Sequence, residues 1–489
     1  MKTASYRIAR MAVACLAAIL VTASPVRAAD LDAKYDPATI TIPPLHTFAK
    51  VTPERVVLKN GLVVYLLEDH TLPIVQGTAY VRANAAWVPA DRTGLGSLTA
   101  MVMRSGGSAA KPGDWLDDRL AAIGASISSS MSNDFASANF WCLTENAPEV
   151  LGLFAEIVRR PAFPEDKLEL AKVGIRRAIA SRNDELGQLL VRVARESVYG
   201  AESPWARKPE YATLEPIGRD DCLKMHRLVY APNRFILVLY GDFKTASIKK
   251  LVQTAFGDWA RNDAPTPDEP GVPATTERRV VFAPKDDVTQ SGVIVAQLGY
   301  KADDPDNAAM DVLEQALGGG FSSRLFNVIR TQRGLAYSAG AMAGGGYFRP
   351  GVFIAYTLTR NDSVMVSTDL VRSEVERVAR EPFSDEETKL AREAVENSLV
   401  FQFSDRASVL FRAGFYELAG YPQDFLQRYQ KDLAAVTPSR LLEAAQRKLH
   451  PDQFITVIVG KEREFDRPLE SAGQKVERVD ITIPPRPGP

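Results

Sequence analysis

The residues best suited to bind a metal or to act as nucleophiles are widely scattered along the chain. The histidines are His46, His70, His226 and His450. No two of them have the i, i+4 spacing that places side chains on one face of a helix. A protein zinc site needs three or four converging nitrogen, sulfur or oxygen donors. No G-x-S-x-G elbow, phosphate-binding glycine loop or dinucleotide fingerprint occurs either, so the residues by themselves indicate no catalytic centre.

A second group of residues could hold a peptide. Gly318, Gly319 and Gly320 precede Arg330, and Tyr337 follows it seven positions later. Glycine lets a backbone approach a neighbouring chain closely. An arginine can donate a forked pair of hydrogen bonds to a carbonyl or carboxylate oxygen, and a tyrosine can donate to a carbonyl or a forming oxyanion. The alternative is structural, because an arginine near a helix end gains from the helix dipole and a strand tyrosine packs.

The elements that must position these residues repeat along the chain. Residues 155–168 resemble 375–390, and in each half a helix runs into an apolar strand, at 226–241 and 446–460. Self-similarity at this long period favours duplication. Within each half, β-rich segments come first and helical periodicity follows, which favours α+β layers. We predict an α+β fold of two homologous domains, each a mostly antiparallel sheet covered by helices, joined by a proline-rich linker.

The periodicity also predicts individual elements and boundaries. Strands are expected at 56–67, with a turn at Asn60-Gly61, and at 74–82, 126–132, 135–143, 291–300 and 351–358. Helices are expected at 149–160, 167–182, 308–317, 367–380, 385–401 and 438–449, and from Ser322 through Arg330 to Gly334. The predicted regions are a signal peptide (1–28), an extended lead (29–46), an N-terminal domain (47–258), a linker (259–278), a C-terminal domain (279–465) and a proline-rich tail (466–489).

The first residues predict export to the periplasm. Three basic residues precede an apolar stretch of residues 11–23, and Val26-Arg27-Ala28 offers a small-residue cleavage site. The stretch is shorter than the roughly 20 apolar residues that span a bilayer. The formal charge of −1 falls to −5 without the four positive charges of this segment, so we expect no nucleic-acid partner. We expect buried free thiols at Cys142 and Cys222, although an oxidising compartment would let them pair.

Two segments of the first half, residues 60–65 and 93–108, resemble the start of inverzincin peptidases such as pitrilysin, insulinase and mitochondrial processing peptidase. In active members the following helix carries H-x-x-E-H, in which two histidines bind zinc and the glutamate is the general base. The resemblance places these positions on Ser97, Ala100 and Met101. It places the third ligand, a glutamate on a later helix, on Arg177. None of the four side chains supplies an imidazole or carboxylate, so the resemblance implies a catalytically degenerate member with no metal site of its own.

The same resemblance gives the second-half group a role. Residues 318–337 are similar to the glycine-rich loop and Arg/Tyr substrate motif of the family, which reaches towards a zinc site in another domain or subunit. It implies a substrate-binding subunit that grips peptides through Arg330, Tyr337 and the three glycines. Its partner would be a homologous H-x-x-E-H peptidase that supplies the zinc. A non-enzymatic scaffold or binding protein of the same family is the alternative; a peptidase with an unrecognised site has no residue to support it.

Overall fold

Alternating and continuous apolar segments of the first half form six strands. The computed structural model describes residues 52–272, 277–402 and 405–486, without the side chains at 400 and 402. The strands are β1 (Glu54–Val57), β2 (Val63–Glu68), β3 (Ile74–Arg82), β4 (Ser126–Met131), β5 (Phe135–Leu143) and β6 (Phe235–Gly241). They pair in the order β1-β2-β6-β3-β5-β4, with β2 and β6 parallel and the other pairs antiparallel. The predicted signal peptide, extended lead and His46 lie outside the described residues.

Helices cover this first sheet. The first half forms α1 (Leu95–Gly106), α2 (Gly113–Ala122), α3 (Ala147–Arg159), α4 (Glu165–Ala180), α5 (Leu186–Tyr199), α6 (Tyr211–Leu214), α7 (Arg219–Val229) and α8 (Thr245–Phe256). Apolar residues of α1, α3, α7 and α8 share one core with strands β2, β3, β5 and β6. Cys142 and Cys222 are buried there as free thiols, as expected. The predicted turn is also confirmed, because Gly61 has a φ of +89° between β1 and β2.

The second half repeats the arrangement. Its main strands are β7 (Arg279–Pro284), β8 (Gln290–Leu298), β10 (Ala336–Met342), β12 (Val352–Arg360), β13 (Ile455–Gly460) and β14 (Val476–Arg478); β9 (Tyr300–Lys301) and β11 (Gly345–Gly346) form a separate pair. The sheet order is β10-β12-β8-β13-β7-β14. Strands β13 and β7 are parallel, as β6 and β2 are in the first sheet. The predicted two-sheet α+β architecture is confirmed.

The second-half helices follow most of the predicted periodicity. They are α9 (Asn307–Gly318), α10 (Val364–Val378), α11 (Asp385–Gln402), α12 (Arg406–Ala419), α13 (Phe425–Ala434) and α14 (Pro438–Lys448). Helices α12 and α13 have no counterpart among the predicted elements. Across the described part of the chain, none of the helices has the length and apolar character needed to cross a membrane.

One helix of each half covers the sheet of the other half. Helix α5 packs on β8 and β13, burying Leu189, Leu190 and Val193 against the second sheet. Helix α12 packs on β2, β3 and β6 of the first sheet, where Leu410 is fully buried. A Cβ at Gly414 would overlap the Val238 side chain, so glycine permits the close approach of this helix. The two halves are therefore held together by the packing of these two helices as well as by the chain segment that connects them.

The described part of the predicted proline-rich tail, residues 466–486, packs against the rest of the chain. Strand β14 extends the second sheet, and Leu469 is fully buried beside it. Beyond β14, the carbonyl of Ile481 accepts a hydrogen bond from the Asn183 amide at 2.7 Å. Ile483 packs against the core of the first half. Alternating apolar residues in this segment therefore bury side chains on both halves.

Candidate substrate-binding site

Helix α1 carries three of the positions that the resemblance assigns to zinc chemistry. Ser97 and Met101 face outwards, and Met101 is 41% exposed. The Ser97 hydroxyl donates a 3.4 Å hydrogen bond to the Met131 carbonyl of β4. Ala100 is completely buried, and its carbonyl accepts from the Ser129 hydroxyl at 2.6 Å. Helix α1 is thus retained as a packed element, while its exposed face presents a hydroxyl and a thioether in place of imidazoles.

Arg177 lies on α4, which packs against α1. Its side chain is exposed, and no described carboxylate pairs with it. The neighbouring Arg176 binds both carboxylate oxygens of Glu215, at 2.9 and 2.6 Å, and also Glu169 at 3.1 Å. A guanidinium stays protonated near neutral pH and repels a dication. These residues do not fit zinc, and no described group of three or more His, Cys, Asp or Glu side chains is placed to hold a metal ion.

The side chains of two of the three described histidines have partners away from α1. His70 contacts Asp242 through Nδ1 at 2.5 Å and Glu68 through Nε2 at 2.8 Å, and these two carboxylates raise its pKa. The Nε2 atom of His226 lies 2.8 Å from the Val158 carbonyl, and burial lowers the pKa of this ring to about 4. His450 lies at the start of a short 3-10 turn before β13. Each of the three stands in its own surroundings, as expected for isolated histidines.

The structure brings Arg330 and Tyr337 of the second half into contact. Arg330 lies in a π-helical segment, Phe326–Thr331, rather than in the regular helix that the sequence predicts. Gly334 has a φ of +61° and turns the chain into β10, as predicted. The guanidinium of Arg330 donates a 3.0 Å hydrogen bond to the Tyr337 carbonyl, and its carbon lies 4.4 Å from the Tyr337 ring centroid. The pair therefore forms one surface unit.

Tyr337 owes its orientation to an irregularity at the edge of the sheet. Along β10, Ala336 pairs with Thr359 and Ser338 with the adjacent Leu358, so Tyr337 is the extra residue of a β-bulge. A bulge re-aims a side chain and interrupts the ladder. Tyr337 is 75% exposed, and its hydroxyl has no described hydrogen-bond partner. The hydroxyl is consequently available to an external acceptor, and alternation along the strand could not reveal this.

The three glycines have separate structural environments. A Cβ at Gly318 would overlap the Ala341 backbone nitrogen in β10, so glycine is needed for α9 to approach the strand that carries Tyr337. A Cβ at Gly319 would overlap the Gln315 side chain, whereas at Gly320 the nearest atom, on Gln315, is 3.4 Å away. Gly318 therefore holds the loop against β10, and Gly320 has the most space around it.

Arg324 supports the loop, and no sequence motif distinguishes it from other arginines. It forms a two-pronged salt bridge with Glu387 at 2.7 and 3.0 Å, and its guanidinium carbon lies 3.9 Å from the Phe383 ring centroid. Glu387 also accepts from the Ser384 backbone at the start of α11. The Arg324 guanidinium lowers the pKa of Glu387 to about 2. The loop and helix α11 are thus joined by a charge pair that does not involve Arg330.

Comparison with known proteins identifies the class. Residues 89–204 match the family model described as Insulinase (Peptidase family M16), and residues 216–395 match the model described as Peptidase M16 inactive domain. An uncharacterized zinc protease of Streptomyces coelicolor is 24% identical over 339 residues, covering 67% of this chain and 73% of that protein. The "Non-peptidase homolog YmxG" of Helicobacter pylori is 24% identical over 378 residues, covering 74% of this chain and 83% of that protein.

Solved structures show the same fold. The peptidase M16 inactive domain from Pseudomonas fluorescens superposes with a TM-score of 0.76 at 22% identity, over 84% of this chain and 98% of that one. A protease from Helicobacter pylori gives 0.74 at 19% identity, over 84% and 100%. The chain belongs to the M16 (pitrilysin/insulinase) peptidase family, and within that family it is a catalytically degenerate member that lacks H-x-x-E-H.

Proposed function

We propose that this chain is the non-catalytic, substrate-binding subunit of an exported, two-component zinc metallopeptidase. The partner is a homologous subunit with an intact H-x-x-E-H motif, which binds zinc and activates water. This chain contributes Arg330, Tyr337 and the glycine-rich loop, which hold the peptide at the partner's zinc site. The observation that carries the proposal is the contact between the half-buried Arg330 and the exposed Tyr337 at a β-bulge, in a chain that lacks H-x-x-E-H.

The chemistry of the pair supports peptide handling. Arg330 has no described carboxylate partner, and the one hydrogen bond of its guanidinium goes to a backbone carbonyl. Its other N–H groups can donate to a carbonyl oxygen of a bound peptide. The Tyr337 hydroxyl can donate to the oxyanion that develops when water attacks the scissile carbonyl. Although its ring stacks on Arg330, Tyr337 is 75% exposed, so most of its surface is open to a bound peptide.

The test is reconstitution with a family member that carries H-x-x-E-H. We expect the isolated chain to hold no stoichiometric zinc and to leave a fluorogenic peptide intact, and the mixture to cleave it. Tyr337→Phe removes only the hydroxyl and should lower kcat of the mixture by about 100-fold, the usual effect of losing one oxyanion donor. Arg333→Ala, in the same turn, is the matched control for Arg330→Ala. Chelator-sensitive cleavage by the isolated chain would contradict the proposal.

A non-enzymatic scaffold is the second candidate, because one relative is named a non-peptidase homolog. In that role Arg330 and Tyr337 contribute only to packing. The two roles separate in the reconstituted complex when both residues are replaced by alanine. A collapse of turnover with unchanged complex formation supports substrate binding, whereas unchanged turnover supports the scaffold.

A further inference from the structure

An aromatic and cationic row extends the Arg330–Tyr337 pair towards the glycine-rich loop. The Phe321 and Phe326 rings meet edge-on, with 4.9 Å between their centroids. The guanidinium carbon of Arg330 lies 4.8 Å from the Phe326 centroid and 4.4 Å from the Tyr337 centroid. Cation–π attraction holds a guanidinium at such distances. The four side chains therefore form one continuous row, in which Phe326 links the loop residue Phe321 to the proposed peptide anchor.

Phe321 is the outer end of this row. It immediately follows Gly320, and it is 78% exposed. Its described ring contact is the edge of Phe326, so its remaining surface faces water. An exposed aromatic ring gains free energy when another molecule covers it, and a group of such residues marks an interaction site. Here the Arg330 guanidinium, in the same row, adds a hydrogen-bond donor for an oxygen atom of the bound molecule.

We propose that Phe321 is a specificity-determining residue, which contacts a large apolar side chain of the peptide whose carbonyl group Arg330 holds. This inference rests on the proposed peptide-binding function. An extended peptide presents a carbonyl oxygen and, within a residue or two, a side chain. In the row, the Arg330 guanidinium can bind the carbonyl oxygen, and the exposed Phe321 ring can contact the nearby side chain. An apolar side chain therefore fits next to Phe321 better than a polar one.

The test uses two fluorescently labelled decapeptides, built of glycine, serine and alanine, with either phenylalanine or serine at the centre. Binding to the full chain is measured by fluorescence anisotropy for the parent and for Phe321→Ala, Arg330→Ala and Leu72→Ala. We expect the parent to bind the phenylalanine peptide about 10-fold more tightly, as burial of an aromatic ring predicts. Phe321→Ala should abolish this preference. Leu72, which is 58% exposed on the first half, is the matched control and should keep it.

The outcomes separate the inference from the function on which it rests. Arg330→Ala should weaken both peptides equally and keep the preference. If Arg330→Ala weakens both while Phe321→Ala leaves the preference intact, the specificity role is overturned and peptide binding stands. If the parent binds neither peptide, both are overturned. If Phe321→Ala instead alters sedimentation of the chain and spares the preference, the ring serves protein assembly and the inference fails.

Discussion

Asp311 lies on α9, two turns before Gly318, in a group of acidic and phenolic side chains. The Tyr429 hydroxyl donates to its Oδ2 atom at 2.6 Å. Glu314, one turn further on, accepts a 2.9 Å hydrogen bond from the Ala343 backbone at the end of β10. The Tyr300 hydroxyl is buried without a described partner. No described cation pairs with either carboxylate, so ionisation of Asp311 in the folded protein is opposed by desolvation.

The pH-dependent contribution of Asp311 to stability follows from its pKa. Desolvation, with a smaller contribution from Glu314, raises the pKa of Asp311 from 3.8 to about 7, against the opposing effect of Tyr429. Each pKa unit corresponds to about 1.4 kcal/mol, so the full shift is worth about 4 kcal/mol, and partial solvent exposure lowers the expected value to about 2 kcal/mol. Because the folded state binds this proton more tightly, the stabilisation is complete below about pH 4 and is lost as the pH rises through 7.

Asp311→Asn keeps the shape and an acceptor for Tyr429 but cannot ionise. The variant should be more stable than the parent at pH 8 by about 2 kcal/mol, and the difference should shrink towards pH 4. Urea unfolding followed by circular dichroism at pH 4.5, 6, 7 and 8 measures it. Asp432→Asn on α13 removes an exposed negative charge and is the control for net charge. A difference between Asp311→Asn and the parent that does not change with pH would refute the reasoning.

Two further predictions concern the packed halves and the glycine-rich loop. Arg349 of the second half forms an ion pair with Asp134 of the first and stacks 4.2 Å from the Trp205 ring centroid. Arg349→Ala leaves Asp134 unpaired and should lower the free energy of unfolding by about 2–3 kcal/mol in urea titrations. Gly318→Ala forces a Cβ against the Ala341 backbone and should displace β10. We expect it to reduce the activity of the reconstituted complex at least about 10-fold, since small misplacements of binding groups are costly.

Matched substitutions test each of these two expectations. Arg360→Ala removes an exposed arginine whose described partners, Asp362 and Ser363, both lie within three residues of it, and it should change stability by less than about 0.5 kcal/mol. Gly174→Ala places a methyl group where no other atom lies within 4 Å, so activity should persist. Equal losses of stability for Arg349→Ala and Arg360→Ala would contradict the first expectation. Equal losses of activity for Gly318→Ala and Gly174→Ala would contradict the second.

Local pattern was sufficient for most single elements. The Asn60-Gly61 turn, the hairpin of β4 and β5, and helices α9 and α11 all agree with the predicted positions, because turn chemistry and hydrophobic period act over neighbouring residues. The internal similarity of the two halves also predicted two sheets, and the structure confirms them. The linker at 259–278 stays a prediction. The two halves do not contact each other through this segment alone, because α5 and α12 each pack on the sheet of the opposite half.

The sequence by itself determined that the chain lacks H-x-x-E-H, because its four histidines lie too far apart to form the motif. It also singled out Arg330 and Tyr337 as candidate binding residues, through their residue types together with the resemblance to the Arg/Tyr motif of the family. Only the tertiary structure decided that Tyr337 occupies a bulge and that Phe321 extends the row. Those features depend on the register of β10 against β12 and on rings meeting across a loop. Both are set by packing between distant segments, which no local periodicity encodes.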